Sequence, residues 1–100
     1  MLKHVVFFKL KPEAEWASKA ENAKRMKTAL ETLNGRIPQI LRMEVGVNAI
    51  PSPAAYDVAL YSEFENEAAL LEYMTHPEHV KVAEFIGKIR EGRAVVDYFV

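Results

Sequence analysis

The segment Leu2–Leu10 limits the possible folds of this chain more than any other feature, because large apolar side chains alternate onto both of its faces. Its β-branched and aromatic residues, with lysines near the edges, predict a strand. Alternation gives the second face Val5 and Phe7, and the first face Leu2, His4, Val6, Phe8 and Leu10. A strand with two apolar faces is expected to be covered on both sides. In a chain of 100 residues with few helices, we expect a second subunit to supply one cover.

Two regions of the chain have helical periodicity. The first helix begins at the capping box Ser18–Glu21, or earlier near Glu13. Its apolar stripe steps by three or four residues: Trp16, Ala20, Ala23, Met26, Leu30 and Leu33. The second region starts at Asn66, is interrupted by Pro77 and ends at Gly92.

Three further strands complete the order βαββαβ: Leu41–Val47, Tyr56–Phe64 and Ala94–Val100. This order predicts a single α+β, ferredoxin-like domain over residues 1–100, with both helical regions on one face of a four-stranded antiparallel sheet. The other face would expose Val5, Phe7, Ala59 and Tyr61, and an apolar surface of that size usually marks an interface. The simplest closure is a two-fold homodimer through the sheet faces, which forms an α/β barrel.

Composition narrows the possible partners and location. The 13 basic and 14 acidic residues are interleaved and give a net charge of −1, so nucleic acid is not an expected partner. There is no cysteine, which excludes a disulfide framework and suits a reducing compartment. No apolar run approaches the length of a membrane span, and the apolar segment near the N-terminus is too short for a signal peptide. The expected setting is therefore the cytoplasm, away from membranes.

The stretch Tyr73–Val80 holds one tyrosine and two of the three histidines within eight positions, a density found nowhere else in the sequence. Pro77 must interrupt any helix that runs through it. An imidazole titrates near neutral pH, so His79 can accept a proton. The Tyr73 hydroxyl can donate to a carbonyl whose neighbouring carbon loses a proton, and so stabilise the enolate. The stretch is predicted to mark the mouth of a pocket.

Several segments occur together, in order, along the whole chain: Lys3–Val6, Phe8–Lys11, Ile37-Pro38, Glu44–Gly46, Tyr56-Asp57, Ser62–Phe64, Tyr73, His76–His79 and Arg93–Tyr98. With these motifs at similar spacing, the chain resembles the stress-responsive A/B barrel domain family, a branch of the dimeric α/β-barrel proteins. The His-Pro-x-His element and the terminal Val-Val-Asp-Tyr strand are fairly specific as a pair, although neither is specific alone.

The resemblance implies a homodimer with a cavity between each sheet and its helices. One plant member of the family cyclises a linear polyketide thioester by an aldol reaction, using a histidine and a tyrosine that by similarity fall on His79 and Tyr73. A strand carboxylate that holds the catalytic histidine falls on Asp97, and a pocket histidine falls on His4. The substrate-binding residues expected from the resemblance and from the alternation are His4, Val6, Phe8, Leu30, Leu60, Val82 and Arg90.

The chain departs from that plant enzyme where substrate would lie. Leu30 stands at a helix position that is a tyrosine there, and Arg90 and Arg93 fall at the apolar end of the pocket. A long alkyl polyketide is therefore not the expected substrate. The two arginines either bind an acidic ligand through bidentate hydrogen bonds or pair with carboxylates on the surface or across the dimer.

The candidate residues also have purely structural interpretations. In these interpretations, His79 and Asp97 pair only to satisfy buried polar groups, and His76, just before Pro77, only caps a helix. His76 and His79 have a spacing that can chelate a metal, but further ligands are lacking, so no metal is expected. Motifs for phosphate, nucleotide or other cofactor binding are absent, and no cofactor is expected.

Two functional hypotheses follow. The first is a homodimeric protein that binds a small organic molecule and catalyses a cofactor-free proton transfer of the aldol or cyclase type. The second is a non-catalytic stress-response protein whose role is structural or oligomerising. A cavity that reaches both the Tyr73 hydroxyl and the His79 imidazole is a requirement of the first hypothesis only.

Overall fold

The computed structural model describes residues 1–100. The strands are β1 (Leu2–Leu10), β2 (Glu13–Ala14), β3 (Ala17–Ser18), β4 (Arg42–Val47), β5 (Val58–Phe64) and β6 (Arg90–Phe99), and the helices are α1 (Lys19–Glu31), α2 (Glu67–Thr75) and α3 (Pro77–Ile89). The main sheet is antiparallel in the order β4-β5-β1-β6. This is the predicted ferredoxin-like arrangement, and the α+β fold class is confirmed. None of the helices combines the length and apolar character needed to span a membrane.

The main differences from the predicted bounds lie around β6. We predicted that the second helical region ends at Gly92, but α3 ends at Ile89 and β6 begins directly at Arg90. The reason is pairing with β1: Gly92 lies opposite Lys9, and after a register shift Arg90 lies opposite Leu10. Strand pairing therefore overrides the helix-ending signal of the glycine.

The segment before α1 is a short hairpin rather than the first turn of a helix. The Ser18 Oγ accepts a hydrogen bond from the Glu21 amide at 3.2 Å, which confirms the predicted cap and leaves the preceding residues outside the helix. Glu15 and Trp16 form the turn between β2 and β3 with φ of 48° and 59°. The prediction that Trp16 belongs to the helical stripe is wrong, since its side chain is fully exposed (100%).

The core lies between the helices and one face of the sheet. The alternation predicted for β1 is confirmed: Leu2, His4, Val6, Phe8 and Leu10 are all buried. They meet a matching set on the first helix, including Ala23, Met26 and Leu30. Ser62 is also buried and donates its hydroxyl to the His4 carbonyl at 3.0 Å. This packing fixes the sheet face on which the candidate site is built.

The opposite face of the sheet has no cover within the chain. Phe7 and Tyr98 are exposed, and so is Val96, at 59%. These three residues stand on neighbouring strands, because Val96 lies opposite Val5 and Tyr98 lies opposite Lys3 in the β1–β6 ladder. An apolar surface shared by adjacent strands is the expected signature of an interface.

Candidate active site

A bend between α2 and α3 places the reactive side chains. His76 has φ −62° and ψ 134°, so it belongs to neither helix, and it serves as the C-cap of α2 and the N-cap of α3. Its Nδ1 accepts a hydrogen bond from the Glu78 amide at 3.1 Å, and Pro77 occupies the first helical position. Proline suits that position because it lacks an amide hydrogen and has a helical φ. The predicted capping role of His76 is confirmed.

The bend brings Tyr73 and His79 into contact. Tyr73 lies near the end of α2 and His79 near the start of α3, and their ring centroids are 4.4 Å apart. The Tyr73 ring also contacts Phe64 on β5, at a centroid distance of 5.0 Å. The tyrosine is thus held between the sheet and the histidine.

Both rings line a cavity of about 230 Å³ between the sheet and the helices. Of the seven predicted substrate-binding residues, six lie in its wall: His4, Val6, Phe8, Leu30, Leu60 and Arg90. The wall is completed by Tyr73, Met74, His79, Ala83, Ile86 and Arg93. The cavity therefore lies where the pocket was predicted.

Val82 is the predicted residue that does not line the cavity. It packs, partly buried, against the core, and Ala83 occupies the wall instead. The reason is helical periodicity, since residues four and seven positions after His79 share its face of α3. Those positions are Ala83 and Ile86. Applying the helical period from His79, rather than from the core stripe that includes Val82, would have predicted both Ala83 and Ile86.

The Tyr73 hydroxyl is buried without a hydrogen-bond partner. Only 1% of the residue is exposed, and its Oη is one of two buried side-chain atoms in the chain with no partner. Burial raises the pKa of Tyr73 well above its usual range, and the positive charge of Arg93 opposes this in part. The hydroxyl therefore stays protonated and has no acceptor within the chain, in a residue that lines the cavity.

A main-chain carbonyl sets the tautomer of His79. The His79 Nδ1 lies 2.9 Å from the Met74 carbonyl oxygen, and since a carbonyl only accepts, Nδ1 carries the hydrogen. Burial lowers the pKa of His79, and although the Met74 hydrogen bond opposes this, the positive charges of His4, Arg93 and His76 lower it further. His79 is therefore neutral at neutral pH, with the Nε2 lone pair available as a base.

Asp97 contacts His4, not His79. The Asp97 Oδ1 lies 2.5 Å from the His4 Nδ1, and the two residues are directly opposite each other in the β1–β6 ladder. The prediction that Asp97 holds His79 is therefore wrong. Opposed residues of an antiparallel pair project from the same face, with side chains close enough to interact. The strand register thus gives the carboxylate to His4, and Asp97 itself is not part of the cavity wall.

Two arginines line the end of the cavity next to β6. Arg90 caps the C-terminus of α3 and Arg93 lies within β6. Neither guanidinium forms an ion pair within the chain. No aspartate or glutamate lines the cavity, so its fixed charges are positive.

The arrangement joins a neutral imidazole, a protonated phenol and two cations in one small space. Such a site can remove a proton from a carbon next to a carbonyl while a hydrogen bond stabilises the enolate oxygen. The cavity wall contains no serine, threonine or cysteine that could act as a nucleophile. Its histidines and its tyrosine are suited to acid–base chemistry.

Fold and cavity together define a ferredoxin-like domain with a histidine–tyrosine pocket beneath its helices. The model of the stress-responsive A/B barrel domain family (Dabb) matches residues 2–100, and the chain belongs to this family. The resemblance drawn from the sequence motifs is confirmed. No curated protein sequence matches the chain.

Solved structures share the whole fold. A dimeric protein of unknown function from Bacteroides fragilis is 38% identical, with a TM-score of 0.88 over 99% of this chain and 95% of that one. A dimeric ferredoxin-like protein of unknown function from Thermobifida fusca is 20% identical, with a TM-score of 0.84 over 99% and 90% of the two chains. A hydroxynitrile lyase from Passiflora edulis is 21% identical, with a TM-score of 0.78 over 99% and 92%. At such identities the last two likenesses show the fold alone.

Proposed function

We propose that this protein is a homodimeric, cofactor-free acid–base enzyme that acts on a small carbonyl compound. The His79 Nε2 takes a proton from the carbon next to the carbonyl, and the carbon–hydrogen electron pair moves into an enolate. The Tyr73 hydroxyl donates to the enolate oxygen. The observation that carries the proposal is the buried, unpartnered Tyr73 hydroxyl beside the neutral His79 ring in one cavity.

An unpaired buried hydroxyl costs stability, about 1–3 kcal/mol, and a folded protein rarely retains one without a use. A carbonyl oxygen bound in the cavity would remove that cost. The hydrogen bond would strengthen as negative charge develops on the oxygen, which is the condition for catalysis rather than for mere binding. The orphaned donor therefore favours a ligand with a carbonyl oxygen at this point.

Asp97 has a different role from the one expected. As the partner of His4, it fixes the orientation of a second imidazole in the cavity wall. We assign it as a positioning residue for His4. The common feature with oriented catalytic histidines is a carboxylate that holds one ring nitrogen and leaves the other free.

The homodimer is proposed to form through the uncovered sheet face. Phe7, Val96 and Tyr98 provide its exposed apolar centre. The protein from Bacteroides fragilis that shares 38% of its residues with this chain is dimeric. Two sheets packed face to face would close the expected α/β barrel and leave one cavity on each subunit open on the helix side.

Solvent exchange tests the proposed chemistry. Small methyl ketones would be incubated with the protein in deuterated buffer, and loss of the α-hydrogen signals followed by NMR. Exchange above the buffer rate is expected for the wild type, with a loss of about 10²–10⁴-fold in His79→Gln. Tyr73→Phe should also lose exchange, whereas Tyr56→Phe, which changes a tyrosine outside the cavity, should not. If the wild-type protein exchanged every ketone only at the buffer rate, the enzyme hypothesis would fail. The non-catalytic, structural role would then replace it.

A further inference from the structure

Resting on the proposed function, we propose that the substrate carries a carboxylate, held at the arginine end of the cavity while its carbonyl group faces Tyr73 and His79. The class is a small keto carboxylate. Arg90 and Arg93 would bind the acid, and the ketone oxygen would accept from the Tyr73 hydroxyl. The cavity wall joins these four side chains in one space.

The charge of the cavity points to an anion. Arg90 and Arg93 line it without an ion pair in the chain, and no acidic side chain lines it with them. The Asp97 carboxylate, on the same strand as Arg93, is bound to His4. A guanidinium offers donors in a planar fork that fits a carboxylate with two parallel hydrogen bonds. An anionic ligand group would thus complement the positive charges of the cavity wall.

Arg93 also connects the anion end to the reactive end. Arg93 lines the same cavity of about 230 Å³ as Tyr73 and His79. In a space of that size, one short molecule would reach all three side chains. The charge of Arg93 would also stabilise the enolate that proton removal creates.

The size of the cavity limits the ligand. Its volume of about 230 Å³ is below the range of about 300–1,000 Å³ typical of sites for drug-sized ligands. Its inner wall is apolar, with Val6, Phe8, Leu30 and Leu60. These dimensions favour a short chain with one charged end and one ketone over a ligand with a long alkyl tail.

Levulinate and its neutral amide provide a matched pair of probes. They have nearly the same shape and the same ketone, and they differ in the charge at one end. Binding would be measured by calorimetry and α-hydrogen exchange by NMR. We expect levulinate to bind the wild type at least about tenfold more tightly than the amide, because a hydrogen-bonded charge contributes more than a neutral pair.

Substitutions of Arg93 separate the effect of the planar guanidinium geometry from the effect of its positive charge. Arg93→Gln should weaken levulinate binding about tenfold to a hundredfold and leave binding of the amide nearly unchanged. The affinity of Arg93→Lys for levulinate should lie between those of the wild type and Arg93→Gln, since lysine keeps the charge and loses the bidentate geometry. Arg36→Gln is the matched control, because it removes the same charge outside the cavity wall. The control should bind both probes as the wild type does.

Different results would overturn the carboxylate substrate class and the acid–base function. Equal binding of acid and amide, no binding of levulinate, or an Arg93→Gln variant that changes only the dimer dissociation constant would each overturn the carboxylate class. Catalysed exchange of neutral ketones in those cases would leave the acid–base function standing. Preferential, Arg93-dependent binding of levulinate without exchange of any ketone would support the carboxylate site and overturn the enzyme.

Discussion

The Asp97 carboxylate and the His4 imidazole face each other across the β1–β6 ladder, with 2.5 Å between Oδ1 and Nδ1. The two histidines of the cavity thus have different partners, because His79 is held by the Met74 carbonyl. His4 depends on a side chain that a single substitution removes. His79 depends on a main-chain atom, and its tautomer is therefore insensitive to the identity of residue 97.

Asp97→Ala is expected to lower stability without changing the tautomer of His79. His4 is buried and would lose the acceptor for its Nδ1 hydrogen, at a cost of about 1–3 kcal/mol in the free energy of unfolding. Asp97→Asn keeps an oxygen acceptor and should cost less. Chemical denaturation measures the first effect, and the nitrogen NMR shifts of the His79 ring report its tautomer. A His79 ring whose hydrogen leaves Nδ1 in Asp97→Asn would contradict the separate partners of the two histidines.

Tyr73→Phe should abolish exchange and leave the protein as stable as the wild type or about 1 kcal/mol more stable. The phenylalanine keeps the contacts of the ring with Phe64 and His79 and removes a hydroxyl that has no partner. Urea unfolding in the absence of ligand measures the change. A loss of stability above about 1 kcal/mol would show that the hydroxyl has a structural partner in the free protein.

The exchange rate should remain high down to mildly acidic pH. Burial lowers the pKa of His79 below its usual 6.5, so the neutral base persists through pH 6.5 and is lost only as the pH falls through the lower value. Beyond that point the rate should approach a tenfold loss per pH unit. A rate that already halves at pH 6.5 or above would contradict a depressed pKa.

The lowered pKa of His79 also makes the free energy of unfolding depend on pH. Because the pKa of His79 is lower in the folded state than in the unfolded state, the unfolded chain binds more protons between the two values. This contribution to stability is therefore fully present above about pH 6.5 and is lost as the pH falls through the folded-state pKa. His79→Gln should flatten that part of the stability–pH curve.

Charge on the uncovered sheet face should dissociate the proposed dimer. Phe7→Glu or Val96→Glu would bury a carboxylate between two apolar sheets, where its desolvation is not compensated. Sedimentation velocity is expected to show monomers for these variants and dimers for the wild type. Leu71→Glu is the control, since Leu71 is equally apolar and exposed but lies on α2. A wild type that sediments as a monomer would overturn the dimer.

A new turn between β2 and β3 should stabilise the protein. Glu15 and Trp16 both have positive φ, a conformation that costs an ordinary L-residue about 1–2 kcal/mol. The double substitution Glu15→Asn, Trp16→Gly introduces the pair that two-residue hairpins favour. The fully exposed Trp16 ring loses no packing within the chain. Denaturation should show a gain of about 1 kcal/mol, and a loss would mean that the ring is covered in the assembled protein.

The sequence was sufficient for the fold because its signals are local and agree with one another. Alternation in Leu2–Leu10 and the break at Pro77 each have one physical interpretation, and the Ser18 cap was one of two predicted helix starts. The structure contains all three. The sequence also located the cavity, because the buried face of β1 and the bend between α2 and α3 are both readable as patterns. Trp16 was misplaced because a helical stripe can be extended by chance past the true cap.

The partner of Asp97 could not be derived in the same way. Which histidine a strand carboxylate reaches depends on the register of β6 against β1, and a shift by one residue would turn Asp97 to the other sheet face. The bulge between Lys9 and Leu10 contributes to that register and has no clear mark in the sequence. The Met74 carbonyl was also beyond sequence reasoning, since every residue offers a carbonyl.

The position of β1 inside the sheet has a consequence for the order of folding. β1 precedes the other strands of this sequence, and both of its neighbours, β5 and β6, come much later in the chain. Non-local pairing of this kind slows folding relative to helical domains of the same size. Until β6 pairs with β1, one edge of β1 remains unpaired and accessible to other chains. The folding chain is therefore prone to aggregation for as long as β6 has not completed the sheet.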